Sequence, residues 1–174
     1  MDKSLECSGS EFYPFGRALT DAGVSLRLQL HGWSMYPFIK DGDWAEIVPV
    51  PVDEIHVGDV ILSRTGRQLF AHRVIRRIPG EQNIHLITRG DNHLREERPV
   101  DPAADLLGRI QVVYRGHRMI RIDRGLSGCL GRLAARSRIA HTCIWGMART
   151  WKRGTWLLRQ SVLPGTRHQD KPQA

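Results

Sequence analysis

Between residues 24 and 122 the chain is a succession of short β-forming stretches, each bounded by Gly, Pro or Asp. Apolar and polar residues alternate strictly in Val24–His31, which is the pattern of a strand with one buried face. Six later stretches share a strand-like composition: Trp44–Val50, Asp59–Arg64, Phe70–Ile78, Ile84–Thr88, Gly108–Arg115 and Arg118–Ile122. Together these stretches predict a mainly β fold with an all-β core.

The segments that flank this core have helical patterns. Residues 11–22 carry apolar side chains at helical spacing, and Pro14 fits the first turn of a short helix that ends at Gly23. After Arg124, apolar residues follow one helical stripe while arginines occupy other faces. We therefore divide the chain into an N-terminal segment with a short helix (1–23), a β-rich core (24–124), a basic, tryptophan-containing helical extension (125–164) and a disordered tail (165–174).

Composition limits the partners and cofactors. The 174 residues suit one domain with appendages. The formal net charge of +8 favours contact with phosphate-rich partners but does not indicate a fold. The three cysteines include no Cys-x-x-Cys pair, and the eight histidines form no His-x-x-x-His arrangement. We therefore expect no disulfide framework, no metal and no cofactor.

Targeting signals are not evident in the sequence. The N-terminus, Met1–Glu6, mixes both charge signs and precedes no apolar run, so we expect no signal peptide. No stretch approaches the run of about 18 apolar residues that a membrane span needs. These features predict a protein that is cytoplasmic or peripheral to the cytoplasmic membrane. Within residues 130–160, three tryptophans among arginines suit peripheral contact with an anionic membrane, and the alternative is a helix packed on the β core.

Ser34 and His72 are the candidate nucleophile and base. Ser34 follows the first predicted strand, and Pro37 fixes the backbone beside it, so the hydroxyl is presented rigidly. A serine nucleophile needs a nearby base, either lysine or histidine. Lys40 is the only lysine between Ser34 and the end of the β core, and it is too close in sequence to come from a separate strand. His72, in a later predicted strand, is therefore the candidate base.

Five runs follow one another along the core: Gly32-Trp33-Ser34-Met35-Tyr36-Pro37, Asp41-Gly42-Asp43, Val57-Gly58-Asp59-Val60, His72-Arg73-Val74 and Arg89-Gly90-Asp91-Asn92. They resemble the superfamily of type I signal peptidases and LexA-type peptidases. His72 occupies the place of the lysine in LexA-type and bacterial signal peptidases, so the resemblance is to the endoplasmic-reticulum and archaeal branch. It extends to about residue 124 and implies a LexA/signal-peptidase-like coiled antiparallel β-sheet core, here without the membrane-spanning helices of signal peptidases.

The resemblance also implies roles for individual residues. Ser34 would be the nucleophile, and His72 the general base and later the general acid toward the leaving amine. The acid of the triad would stand six residues after Asp91, where this chain has Glu97 in place of the family's aspartate. We expect Asp91 and Glu97 to support His72 together, with Asp101 as a third choice. The Asp-Gly-Asp and Val-Gly-Asp-Val runs are expected to be structural turns.

The implied activity is that of a serine endopeptidase without a cofactor. Its substrate would be an extended peptide or precursor protein, such as a signal peptide, with small residues near the scissile bond. Backbone amides near Ser34 would form the oxyanion hole, because Gly32 brings no hydroxyl donor.

Two other functions are compatible with the sequence. A self-cleaving LexA-type regulator would need DNA-binding helices before the core, and only 23 residues precede Val24. A catalytically lapsed module would bind nucleic acid or an anionic membrane through the basic C-terminal helix, and Glu97 in place of aspartate favours this idea. For an active peptidase we do not expect nucleic acid as a partner.

Overall fold

The computed structural model describes residues 9–80, 84–93 and 99–123 together with Leu133. The predicted extension, apart from Leu133, and the predicted tail lie outside the described residues, as does Glu97. The described part of the chain is mainly β and forms a curled antiparallel half-barrel sheet with a short N-terminal helix, in agreement with the strand pattern. Its helices are all too short or too polar to cross a membrane.

Eight strands form one sheet. They are β1 (Leu26–Gln29), β2 (Trp44–Val48), β3 (Val60–Thr65), β4 (Gln68–Pro79), β5 (Ile84–Arg89), β6 (Pro99–Val100), β7 (Leu106–Arg115) and β8 (Arg118–Arg121). The path across the sheet is β1-β2-β7-β3-β4-β5-β6, and β8 pairs with β7. Each pairing is antiparallel. The helical elements described are α1 (Gly9–Asp21), a 3-10 turn (Val52–Glu54) and α2 (Pro102–Asp105).

Helix α1 is attached to α2 and β7 by polar contacts as well as apolar ones. The hydroxyl of Tyr13 donates to the carbonyl oxygen of Ala104, and Nη1 of Arg17 donates to the carbonyl oxygen of Leu106 at 3.0 Å. The structure describes the helix from Gly9, so Pro14 lies beyond the first turn. The prediction that Pro14 belongs to the first turn was therefore wrong. A proline there removes one helical hydrogen bond, while these two contacts hold the helix against α2 and β7.

The first strand is shorter than the alternation predicts. Val24 precedes β1 and is 46% exposed, whereas Leu26 is buried. The backbone N–H of Val24 donates to the carbonyl oxygen of Leu19 near the end of α1, so Val24 belongs to the connecting turn. The alternating pattern therefore matches the observed burial only from Leu26 onward.

The curl of the sheet buries both faces of its central strands. The larger apolar cluster lies between α1 and the inner faces of β1, β2, β3 and β7, and includes Met35 and Ile39 from the turn after β1. Within β3, Val60 and Leu62 belong to this cluster, while Ile61 belongs to a second one formed with β4, β5 and β6. Met35 and Ile39 are each 3% exposed, and burial of such side chains stabilises the fold by about 1.5–3 kcal/mol each. The turn that carries Ser34 is therefore anchored in the core.

Candidate active site

The Ser34 turn is closed by the carboxylates that follow it. Asp41 accepts a hydrogen bond from the backbone N–H of Gly32 at 2.8 Å. Asp43 accepts one from the N–H of Lys40 at 2.8 Å, and Arg115 on β7 binds both oxygens of Asp43, the shorter contact being 2.7 Å. These contacts account for the Asp-Gly-Asp run, which has the structural role predicted from the sequence. Ser34 itself is half-buried and directly precedes the buried Met35.

His72 lies in β4, opposite Ile61 of β3, and is 4% exposed. Its ring stacks on the ring of Phe70, with centroids 5.3 Å apart and an interplanar angle of 25°. The ring of His93 approaches edge-on, with centroids 6.4 Å apart. A buried imidazole with ring contacts of this kind has its orientation restricted by packing.

Gly90, in the loop after β5, lies against both Ser34 and His72. A Cβ atom at Gly90 would be 2.7 Å from the carbonyl oxygen of Ser34, 3.1 Å from the Cβ of Ser34 and 3.3 Å from Nε2 of His72. The Cβ of Ser34 and Nε2 of His72 would thus both contact the same added methyl carbon, so these two atoms lie close to each other. The candidate nucleophile and base, 38 residues apart in the sequence, face the same small space.

The loop after β5 is also hydrogen-bonded to the Ser34 backbone. The N–H of Asn92 donates to the carbonyl oxygen of Ser34 at 2.7 Å. Any side chain at position 90 would occupy the space between this loop and the Ser34 turn. We did not predict Gly90 as a site residue, although a glycine inside the Arg-Gly-Asp-Asn run was a signal for close backbone approach.

Arg73 connects three of the five sequence runs, its own and those that contain Gly58 and Asp91. Its Nε and Nη2 donate to the two oxygens of Asp91 at 2.8 and 2.7 Å, and its Nη1 donates to the carbonyl oxygen of Gly58 at 2.7 Å. Its guanidinium also lies 5.0 Å from the ring centroid of Phe38. The side chains of Arg73 and Asp91 are 1% and 5% exposed, so this is a buried, bidentate ion pair. From the sequence alone, Arg73 stands out only as the neighbour of His72 in the His72-Arg73-Val74 run.

The three acidic candidates have different surroundings. The carboxylate of Asp91 is held by Arg73 through both oxygens. Asp101 is the N-cap of α2, and its Oδ1 accepts a hydrogen bond from the N–H of Ala103 at 2.9 Å. Glu97 lies outside the described residues. The acid that supports His72 therefore stays a prediction from the sequence.

No protein-family model and no curated protein matches this chain.

The geometry determines what chemistry the site offers. Among the residues that the structure describes, no group of three or more His, Cys, Asp or Glu side chains is arranged to hold a metal ion. What converges instead is a serine and an imidazole nitrogen, both next to Gly90. Such a pair can transfer the hydroxyl proton to nitrogen as the oxygen attacks an electrophile.

Proposed function

We propose that this protein is a serine endopeptidase of the signal-peptidase type, with Ser34 as nucleophile and His72 as general base. The observation that carries the proposal is the convergence of the Cβ of Ser34 and Nε2 of His72 on Gly90. We also propose that the curled antiparallel sheet is the LexA/signal-peptidase-like fold. The order of strands, with the nucleophile after the first strand and the base in the fourth, supports this assignment.

In the proposed reaction, Oγ of Ser34 attacks the carbonyl carbon of the scissile peptide bond while Nε2 of His72 takes the hydroxyl proton. Collapse of the tetrahedral intermediate breaks the carbon–nitrogen bond, and the proton passes from His72 to the leaving amine. Water then attacks the acyl-enzyme, with His72 again accepting a proton. This proton passes to Oγ of Ser34 as the ester bond breaks and the carboxylic acid product leaves. Backbone N–H groups of the Ser34 turn are the proposed oxyanion donors.

We propose different roles for the acidic residues. With Nε2 of His72 directed toward Ser34, its Nδ1–H is the atom that an acid would hold. We assign this role to Glu97. Asp91 is bound through both oxygens by Arg73, so we assign it the role of positioning the loop that carries Gly90 and Asn92.

The proposed substrate is an extended peptide or precursor protein with small residues near the scissile bond. Cleavage of a peptide library rich in such residues tests this directly, with Ser34→Ala and His72→Ala as the site variants. Ser25→Ala and His117→Ala are matched controls, because both residues are exposed and lie outside the site. We expect cleavage by the wild type and both controls, and a loss of at least about 100-fold in each site variant. Equal cleavage by all five proteins would refute the proposal.

A second function, binding to an anionic surface, is favoured by the distribution of charge. Residues 124–174 contain ten Lys or Arg and one Asp and carry a formal charge of +9, whereas residues 1–123 contain 16 Lys or Arg and 17 Asp or Glu. We propose that residues 130–160 contact an anionic membrane. Flotation with anionic liposomes tests this. We expect the full chain to float and a chain ending at Arg124 not to float, with flotation weakening as salt is raised. Equal flotation of the two would exclude it.

A further inference from the structure

His93 is the second histidine at the candidate site, and its backbone position is fixed by the same loop that contacts Ser34. The N–H of His93 donates to the carbonyl oxygen of Gly90 at 3.0 Å. Gly90 in turn lies against Ser34 and Nε2 of His72. The ring of His93 meets the ring of His72 edge-on, at a centroid distance of 6.4 Å and an angle of 63°. The position of His93 is therefore linked, through Gly90 and the ring contact, to the positions of Ser34 and His72.

The two imidazoles differ in their access to solvent. His93 is exposed, whereas His72 is 4% exposed. An imidazole that binds a second proton carries a positive charge, with both ring nitrogens as donors. A positive charge at this distance from a buried imidazole opposes the addition of a second positive charge, because the medium between them screens less than bulk water.

Other charged groups lie nearby, but in different positions. Arg73 on β4 and Arg89 on β5 are cross-strand partners. Because successive side chains alternate across a strand, Arg73 occupies the face of β4 opposite to that of His72. Asp91 binds Arg73 through both of its oxygens. Among the described residues, the titratable side chain in ring contact with His72 is His93.

We infer that His93 is a positioning residue for His72, which orients the edge of its ring and, when protonated, keeps the base in its neutral form. This inference rests on the proposed function of His72 as general base. Only neutral His72 can accept the proton of Ser34, so a protonated His93 extends the reaction to lower pH. Phe70 contributes the stacked face of the same arrangement, but carries no charge.

The test is a proton NMR titration of the His72 ring signals, assigned by their loss in His72→Gln. Three variants are compared with the wild type. His93→Gln removes the charge, His93→Lys makes it permanent, and His117→Gln is the control, because His117 is an exposed histidine in the turn between β7 and β8. The activity–pH profile of each protein is the second readout.

We expect the titration midpoint of His72 to rise by about 0.5–1 pH unit in His93→Gln, and the acid limb of the activity profile to move with it. In His93→Lys the midpoint stays at or below the wild-type value, and in His117→Gln it is unchanged. A midpoint in His93→Gln that equals that of the wild type, or one in His93→Lys that rises, would overturn the inference. The titration requires no turnover, so a shifted midpoint in a protein that cleaves nothing would support the ring coupling and reject the proposed function.

Discussion

At the scale of single residues, the candidate site depends on the lack of a side chain at Gly90 as much as on the side chains of Ser34 and His72. Ser34 and His72 could be predicted from the sequence, because each lies in a run with a recognisable pattern. For Gly90 the sequence signals only a close backbone approach, because the atoms it contacts belong to segments that are distant in the sequence. The same holds for Phe70 and His93, whose rings meet His72 only in the folded chain.

Gly90→Ala tests whether the close packing at Gly90 matters for activity beyond its effect on stability. The added methyl would be 2.7 Å from the carbonyl oxygen of Ser34 and 3.3 Å from Nε2 of His72, so the Ser34 turn must move. We expect a loss of about 100-fold or more in activity, since small displacements of reacting groups are costly, and a loss of about 1–3 kcal/mol in the free energy of unfolding.

Gly108→Ala is the matched control, because its Cβ would also be 2.7 Å from a carbonyl oxygen, that of Val48, away from the site. Urea unfolding and peptide cleavage are measured for both variants. We expect similar destabilisation, with activity per folded molecule kept in Gly108→Ala. If Gly90→Ala were as active as Gly108→Ala, the close packing at Gly90 would have no catalytic importance.

The acidic candidates can be distinguished by whether a substitution affects stability or activity. Asp101→Ala removes the N-cap of α2 and should cost about 0.5–2 kcal/mol of stability without slowing cleavage. Glu97→Gln should leave stability nearly unchanged and lower kcat by about 1,000-fold or more, because the imidazole loses the acid that holds its tautomer. Thermal unfolding and steady-state kinetics measure the two effects. The reverse pattern would transfer the role of the acid to Asp101.

At the scale of secondary-structure elements, those long enough to show a repeating sequence pattern were predicted, and those too short to show one were not. Seven strands were predicted near their observed positions, since alternation and Gly or Asp boundaries mark them. Strand β6 and helix α2 were not predicted, because elements of two and four residues are too short to show a repeat. The connection of β4 to three loops through Arg73 was also missed, since a charged residue in a strand is expected at the surface.

The Arg73–Asp91 pair should act mainly on the stability of these connections. Asp91→Asn leaves a buried guanidinium without its full partner, and we expect a loss of about 3–5 kcal/mol in the free energy of unfolding. The double variant Arg73→Met, Asp91→Leu should recover part of this loss, because it removes both buried charges. Urea unfolding of Arg73→Met, Asp91→Leu and the double variant measures the coupling. Additive effects of the two substitutions would show that the pair is not a stabilising unit.

At the scale of the whole molecule, one curled sheet brings the Ser34 turn, strand β4 and the loop after β5 to the same place. The mainly β class followed from the sequence, whereas this convergence follows from the antiparallel order of strands, which no local pattern specifies. The described core contains nearly equal numbers of acidic and basic residues, and the surplus of positive charge lies after residue 123. Catalysis and surface contact are therefore expected to depend on different parts of the chain.

The central claim is that His72 activates Ser34, and a fluorophosphonate tests it without knowledge of the substrate. The reagent forms a phosphorus–oxygen bond with an activated serine and releases fluoride. We expect mass spectrometry to locate a single label on Ser34 in the wild type and in His117→Ala, and no label in Ser34→Ala. In His72→Ala we expect the rate of labelling to fall by at least about 100-fold. Labelling of Ser34 at the same rate with and without His72, or no labelling of the folded wild type, would contradict the account.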